Sequence, residues 1–295
     1  MSEKLKAAGV MVVILAAVLA FAFFSADSWQ RGQIFHGSTY MARTPRDIGA
    51  AFSDQWIDVP ASGDASAGKI HAWWIPAAAP DAPAVLFLHG NAGSISSNLR
   101  YVDLLHAAGL AVLTVDYRGF GTSSAALPSE KSVYADARAA WDRFVALTPK
   151  ARKRLVYGQS LGGAIAIDLA SKVKGVDALV EESSFTSMLA EARIVMPGWI
   201  PLSLIQTQYF SSDEKIGHLY IPKLFIHCSG DEVVPGAMSE ELYRLAPEPK
   251  SRLVIAGGSH NDCPSAAPVD WTVAVLNVAG FAGRKTPDPA SKAAP

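Results

Sequence analysis

A serine flanked by glycines stands where a predicted strand meets a predicted helix. The stretch Arg154–Ala170 reads RLVYGQSLGGAIAIDLA, a short apolar run followed by a helical pattern. Its centre, Gly158–Gly162, is Gly-x-Ser-x-Gly, the arrangement of a nucleophile elbow. Such a pentapeptide also occurs by chance in unrelated loops, and the strand before it and the helix after it favour the elbow. We expect Ser160 to stand above the sheet, with the N–H of Leu161 directed at any negative charge that develops there.

A serine hydroxyl needs a base to take its proton, and the base needs an acceptor that holds its tautomer. Two predicted strands later in the chain, Lys223–His227 and Arg252–Ala256, are followed by loops that carry Asp231 and His260. Because the carboxyl ends of parallel strands share one edge of a sheet, these loops can reach the elbow. The sequence therefore predicts Ser160 as nucleophile, His260 as base and Asp231 as the acid that orients it.

Alternatives remain for each partner. Glu182, after the preceding strand, is a second candidate for the acid, and Asp231 would then only cap the helix that follows Pro235. His227 ends an apolar strand and is expected to be a packed residue. No motif surrounds the remaining candidates His36, His71, His106 and His218.

The loop after the predicted strand Ala84–Leu88 reads His89-Gly90-Asn91-Ala92-Gly93. Its glycines let the backbone turn close to a substrate, and a second oxyanion donor is expected from this loop. We predict the N–H of Asn91 as that donor, beside the N–H of Leu161. His89 is expected to hold the loop by a hydrogen bond rather than to act as a base.

Predicted strands and helices alternate from residue 84 to residue 281, which indicates an α/β fold with a mostly parallel sheet covered on both faces. An antiparallel pair, Gln55–Val59 and Ile70–Ile75, opens it. We predict one domain over residues 55–282, with a small cap insertion at 183–221. Residues 25–54 form a linker or packing segment, in which Trp29, Phe35 and Tyr40 either meet a membrane interface or pack on the domain. Residues 283–295 are expected to be a disordered tail.

The first 24 residues are predicted to be a retained membrane anchor. Ala7–Phe24 holds 18 residues without a charge, and as a helix it would span about 27 Å, close to a bilayer core. A cleaved signal peptide is the alternative, but Phe24 stands where such a site needs a small residue. Lys4 and Lys6 favour a cytoplasmic N-terminus and a catalytic domain outside the cytoplasm (periplasmic in a bacterium). The opposite orientation is favoured by Arg31, Arg43 and Arg46, which follow the apolar segment.

The composition of the chain limits the kinds of partner and cofactor that we expect. The chain has 295 residues, a net charge of −1 and no basic run, so nucleic-acid binding is not expected. The two cysteines lack a zinc-like spacing, and neither a metal nor a cofactor is implied. Cys228 lies three residues before Asp231 and Cys263 three after His260. A disulfide between them is therefore possible if the domain lies outside the cytoplasm, and two free thiols are the alternative.

Six ordered motifs carry a family resemblance. They are His89–Gly93, Asp116-Tyr117-Arg118-Gly119-Phe120-Gly121, Gly158–Gly163, Glu182-Ser183-Ser184-Phe185-Thr186-Ser187, Asp231-Glu232-Val233-Val234-Pro235 and Gly258-Ser259-His260. With these motifs the chain resembles the α/β-hydrolase superfamily and, within it, membrane-anchored hydrolases similar to serine aminopeptidases. Cys228-Ser229 departs from the pattern, because such proteins commonly carry Gly there. The resemblance does not transfer a substrate, since this fold hosts esterases, thioesterases, amidases and peptidases.

These observations predict a membrane-anchored serine hydrolase that cleaves carboxylic esters or thioesters of a lipophilic acyl substrate. The predicted cap contains the uncharged run Ile194–Ile205, which either packs on the core or forms an apolar wall over Ser160 for an acyl chain. The alternatives are a peptidase or amidase of the same fold, or a catalytically silent scaffold tethered to the membrane.

Overall fold

A sheet of eight strands forms the centre of the computed structural model, which describes residues 11, 24–61 and 65–280. The strands of the chain are β1 (His36–Gly37), β2 (Ser53–Val59), β3 (Gly68–Ile75), β4 (Ala84–Leu88), β5 (Ala92–Gly93), β6 (Ala111–Asp116), β7 (Arg154–Gln159), β8 (Ala178–Glu182), β9 (Lys223–Cys228) and β10 (Lys250–Ile255). The order across the large sheet is β10-β9-β8-β7-β4-β6-β3-β2, and β1 pairs separately with β5.

The pairing confirms a mostly parallel sheet with an antiparallel opening. Strands β2 and β3 are antiparallel to each other, and β3 is antiparallel to β6. The six neighbouring strands β6, β4, β7, β8, β9 and β10 all run parallel to one another. The carboxyl ends of β4, β7, β8, β9 and β10 therefore lie along one edge, where open α/β sheets place their binding sites.

The central strands read as continuous apolar runs because both of their faces are covered. In β4, Leu86 and Leu88 belong to one core, whereas Val85 and Phe87 belong to the core on the other face. All five residues of β4 are buried. Burial at every position explains why a run such as AVLFL shows no alternation of polar and apolar residues.

Helices cover both faces. They are α1 (residues 24–34), α2 (Leu99–Ala107), α3 (Glu130–Leu147), α4 (Leu161–Lys172), α5 (Met188–Val195), α6 (Leu202–Ile205), α7 (Ser212–Ile216), α8 (Gly236–Leu245), α9 (Cys263–Ala266) and α10 (Pro268–Val278). Residues of α3, α4 and α8 join one core, and residues of α2 and α10 join the other.

The segment between β8 and β9 forms the predicted insertion. It contains α5, α6 and α7, and the run Ile194–Ile205 is not one helix: α5 ends at Val195 and α6 begins at Leu202. Pro197 and Pro201 lie between the two helices, where they end regular hydrogen bonding.

The N-terminal prediction falls mostly outside the described residues, as does the predicted tail at 283–295. Within residues 11, 24–61 and 65–280, no helix has both the length and the apolarity needed to cross a membrane. Residues 25–54 contain more structure than a linker, because α1 and β1 both lie there. Of their aromatic side chains, Phe35 is buried in the core, while Trp29 and Tyr40 are exposed.

Candidate active site

Ser160 sits in a strained turn between β7 and α4. Its backbone has φ 54° and ψ −122°, a left-handed conformation that a residue with a Cβ rarely adopts. Its N–H donates to the carbonyl of Glu182 at 2.8 Å, which ties the turn to the neighbouring strand. A Cβ on Gly158 would lie 2.1 Å from the carbonyl oxygen of Gly162, and one on Gly162 would lie 2.0 Å from that of Leu88. Both glycines of the pentapeptide are therefore required by close backbone approach.

The structure brings the three residues predicted as a triad into one hydrogen-bonded chain. The Oγ of Ser160 lies 2.9 Å from Nε2 of His260, and Nδ1 of His260 lies 2.8 Å from Oδ2 of Asp231. Ser160 and His260 are both buried, and the carboxylate of Asp231 is fully covered. An ionised carboxylate only accepts hydrogen bonds, so Asp231 fixes the proton on Nδ1 and leaves Nε2 free to accept from the serine.

Asp231 accepts hydrogen bonds from backbone groups as well as from His260. Its Oδ1 accepts the N–H groups of Val233 and Val234, each at 2.9 Å. Burial alone would raise the pKa of Asp231, but the hydrogen bonds from His260, Val234 and Val233 outweigh it and hold that pKa below its ordinary value. The aspartate is therefore kept ionised while its position is fixed on both oxygens. His227, which was predicted to be a packed residue, is buried with Nε2 4.0 Å from the same carboxylate.

Of the predicted oxyanion donors, Leu161 is the first residue of α4 and Asn91 lies in the loop after β4. Leu161 begins α4, so its N–H belongs to the first helical turn, whose N–H groups have no partner within the helix. Asn91 follows β4, and its carbonyl accepts the N–H of His36 at 2.8 Å while its Nδ2 donates to the carbonyl of Ile34 at 3.0 Å. The segment after α1 thus holds this loop in place.

A cavity of about 310 Å³ opens beside Ser160, Asn91 and Leu161. Most of its wall is apolar. The cap contributes Phe185, Met188, Leu189, Ala192, Val195, Met196, Leu202 and Ile205, and the other apolar residues are Trp29, Ile34, Leu161, Val233 and Val234. Part of the uncharged run Ile194–Ile205 therefore lines the space beside Ser160, as the apolar-wall interpretation expects, whereas Trp199 and Leu204 of the same run are exposed.

Comparisons with known proteins show the family to which the chain belongs. Residues 79–208 match a sequence-family profile described as "Serine aminopeptidase, S33". The uncharacterized protein Rv2307c of Mycobacterium tuberculosis is 39% identical over 196 residues, which are 66% of this chain and 69% of the relative. The chain belongs to the α/β-hydrolase superfamily.

Two further relatives show the breadth of the likeness. Lysophosphatidylserine lipase ABHD12 of Danio rerio is 33% identical to the hydrolase over 215 residues, which are 66% of this chain and 56% of that protein. The esterase Pf2001 of Pyrococcus furiosus superposes with a TM-score of 0.68 at 20% identity, over 84% of this chain and 97% of the other. The second likeness shows a shared fold.

Glu182, the alternative acid, does not contact the histidine of the hydrolase. Its Oε1 accepts the hydroxyl of Tyr101 at 2.5 Å, and its Oε2 accepts the hydroxyl of Tyr157 and the indole N–H of Trp271, the latter at 2.8 Å. Burial raises the pKa of Glu182, and these three donors oppose the rise. Its carboxylate therefore joins β8 to β7, α2 and α10, and only its backbone carbonyl touches Ser160.

Residues of two other sequence motifs, His89 and Arg118, hold loops of the hydrolase in place. His89 is fully buried with Nδ1 2.8 Å from the carbonyl of Gly90, so it holds its loop as predicted. Arg118 donates from Nε to Asp136 at 2.7 Å inside the core, and burial raises the pKa of Asp136 to about 6 despite that contact. The pair joins the loop after β6 to α3.

Cys228 and Cys263 are joined in a disulfide, with their Cα atoms 5.6 Å apart. The bond links the end of β9, three residues before Asp231, to the start of α9, three residues after His260. Within the described ranges no cluster of three or more His, Cys, Asp or Glu side chains has the arrangement of a metal site.

Two parts of the cavity wall were not found from the sequence. Helix α1 contributes Trp29, Gln30, Gln33 and Ile34, whose spacing places them on one helical face and was the available signal. Glu191 on α5 also lines the cavity. Nothing in the sequence separated it from the acidic residues on exposed faces of other helices.

Proposed function

We propose that the hydrolase cleaves carboxylic esters or thioesters of lipophilic acyl groups through an acyl-enzyme. Ser160 attacks the acyl carbonyl while His260 takes the serine proton and then delivers it to the leaving group. Asp231 orients His260 and stabilises its cation, and the N–H groups of Asn91 and Leu161 bind the oxyanion. Water then enters, His260 removes its proton, and the acyl group leaves as a carboxylic acid.

The observation that carries this proposal is the Ser160–His260–Asp231 chain opening onto a mostly apolar cavity. A binding module has no use for a strained serine and an ionised aspartate aligned through a histidine, which argues against a silent scaffold. An apolar wall favours an acyl chain over a charged peptide, because each buried CH₂ contributes about 0.8 kcal/mol. The names of one relative, a lysophosphatidylserine lipase, and of one structural neighbour, an esterase, are consistent with this proposal.

The chain-length dependence of ester hydrolysis tests the proposal. We expect kcat/KM for p-nitrophenyl esters to rise from acetate to octanoate, by up to about fourfold per added CH₂ while the chain still enters the cavity. Activity on aminoacyl anilides should be lower. Met188→Asp, which puts a charge in the cavity wall, should lower activity on octanoate by at least about tenfold and spare acetate. Tyr220→Asp is the matched control, because Tyr220 lies in the cap but is exposed and outside the cavity.

A preference for the anilides would overturn the ester proposal. If kcat/KM does not change with chain length, or if Met188→Asp behaves like Tyr220→Asp, the proposed apolar wall for the acyl chain is wrong. Neither outcome would contradict serine catalysis.

We further propose that residues 1–24 anchor the hydrolase in a membrane, with the catalytic domain outside the cytoplasm and the cap against the lipid. The cap exposes large apolar side chains, with Trp199 83% and Leu204 82% exposed. Helix α1, which directly follows the predicted anchor, is fastened to the cap: Gln30 donates to the carbonyl of Ile205 at 2.7 Å and accepts from the N–H of Thr207 at 3.0 Å. The chain therefore leaves the apolar segment beside the exposed apolar face of the cap, which favours a lipid surface as its partner.

Fluorescence quenching by brominated lipids checks the lipid contact. With the full chain in vesicles of brominated phosphatidylcholine, Trp199→Phe should remove much of the quenchable tryptophan emission. Trp56→Phe is the control, because Trp56 is also exposed but lies on β2, the edge strand far from the cap in the sheet order. Equal losses from both variants, or no loss from Trp199→Phe, would contradict the proposed contact.

A further inference from the structure

Glu191 places a carboxylate in an otherwise uncharged cavity. Among the described residues that line it, Glu191 is the only one with an acidic or basic side chain. Its Oε2 is buried and has no hydrogen-bond partner within the described part of the chain. A buried carboxylate oxygen without a partner is costly, and such groups are nearly always satisfied in folded proteins. A ligand group that donates a hydrogen bond or carries positive charge would satisfy this oxygen.

The surroundings of Glu191 indicate which part of a substrate would meet it. Burial raises the pKa of this carboxyl, while the charge of His260 lowers it and the charge of Asp231 raises it. The acyl oxygen is expected at the N–H groups of Asn91 and Leu161, and the apolar lining of the cavity suits the acyl chain. The Glu191 carboxylate, as the charged group among the described lining residues, is therefore left for the alcohol portion of the ester.

We propose that Glu191 is a binding site for a protonated amine on the alcohol portion of the substrate, so that the preferred esters are acyl esters of amino alcohols. This inference rests on the proposed ester hydrolysis and specifies its substrate class. An ammonium N–H supplies the donor that Oε2 lacks, and its charge pairs with the carboxylate in a mostly apolar cavity. When His260 becomes a cation during the reaction, Glu191 also balances the second positive charge that the amine brings.

The same carboxylate should disfavour anionic alcohols. A phosphate on the leaving group would place like charges together in a cavity that screens them poorly. The inference therefore separates amino-alcohol esters from glycerophosphate esters of the same acyl chain.

The test compares octanoyl esters that differ only in the charge of the alcohol. The octanoate of N,N-dimethylethanolamine carries a protonated amine at neutral pH, and isoamyl octanoate is its neutral carbon isostere. We expect the wild-type protein to hydrolyse the cationic ester with a kcat/KM about tenfold higher than that for isoamyl octanoate, which corresponds to about 1.4 kcal/mol. Octanoyl glycerophosphate should be the poorest of the three. In Glu191→Gln the ratio of cationic to neutral ester should fall to about one, while isoamyl octanoate is still hydrolysed, which also shows that the variant folds.

Glu214→Gln is the matched control, because it removes the same charge from the same cap at an exposed position outside the cavity. It should keep the wild-type ratio. Equal hydrolysis of cationic and neutral esters by the wild type, or an unchanged ratio in Glu191→Gln, would overturn the inference while leaving serine esterase activity in place. If the wild type cleaves none of the esters, the proposed function fails and the inference falls with it.

Discussion

Ser160→Ala and His260→Ala are each expected to lower kcat for ester hydrolysis by at least about 10³-fold. Without Ser160 no acyl-enzyme forms, and without His260 the hydroxyl stays protonated and the leaving group receives no proton. The two side chains lie 2.9 Å apart in one hydrogen-bonded chain. The double variant should therefore be little worse than either single variant, because residues that act as a unit are not additive.

A fluorophosphonate probe separates catalysis from folding in these variants. The wild type should be labelled covalently, Ser160→Ala should not be labelled, and His260→Ala should be labelled far more slowly. Ser171→Ala is a suitable control, because its hydroxyl donates to the carbonyl of Asp168 on α4, away from the cavity lining. Matching circular dichroism spectra would show that all three variants fold. Labelling of Ser160→Ala, or failure to label the folded wild type, would contradict serine catalysis and favour the scaffold alternative.

The sequence predicted what depends on local pattern. Buried strands that alternate with helices were recognised from continuous apolar runs, because a strand covered on both faces has no polar side to interrupt it. Ser160, Asp231 and His260 were found because each follows a strand, and parallel strands bring their carboxyl ends together. The break in the cap between α5 and α6 also has a local cause in the sequence, because Pro197 and Pro201 remove backbone donors.

What the sequence did not predict depends on contacts between distant segments. Helix α1 lines the cavity because Gln30 and Asp27 bond to cap residues more than 170 positions away. The spacing of its lining residues marks one helical face but does not show what that face contacts. The position of Glu191 depends on how α5 turns within the cap. The role of Glu182 depends on Tyr101, Tyr157 and Trp271, which come from three different elements. A strand-end glutamate beside the elbow therefore looks like a catalytic acid until its partners are known.

Asp231→Asn is expected to lower kcat by on the order of 10⁴-fold, whereas Glu182→Gln should stay within about tenfold of the wild type. An asparagine that offers its NH₂ to Nδ1 stabilises the wrong tautomer of His260, leaving Nε2 protonated and unable to accept from Ser160. It also removes the negative charge that stabilises the histidine cation. Glu182→Gln removes the carboxylate that accepts from Tyr101, Tyr157 and Trp271. We expect this to lower the free energy of unfolding by about 1–3 kcal/mol, which would be measured as a lower Tm.

Measuring kcat and Tm together on both variants decides between the two acids. The structure favours Asp231 because its Oδ2 lies 2.8 Å from Nδ1 of His260, while both oxygens of Glu182 are taken by tyrosine and tryptophan donors. If Asp231→Asn keeps near-wild-type turnover and Glu182→Gln loses it at an unchanged Tm, the acid has been assigned to the wrong strand end. If Glu182→Gln loses kcat only in proportion to its unfolded fraction, its carboxylate acts through the core that supports β7 and β8, and Asp231 alone orients the histidine.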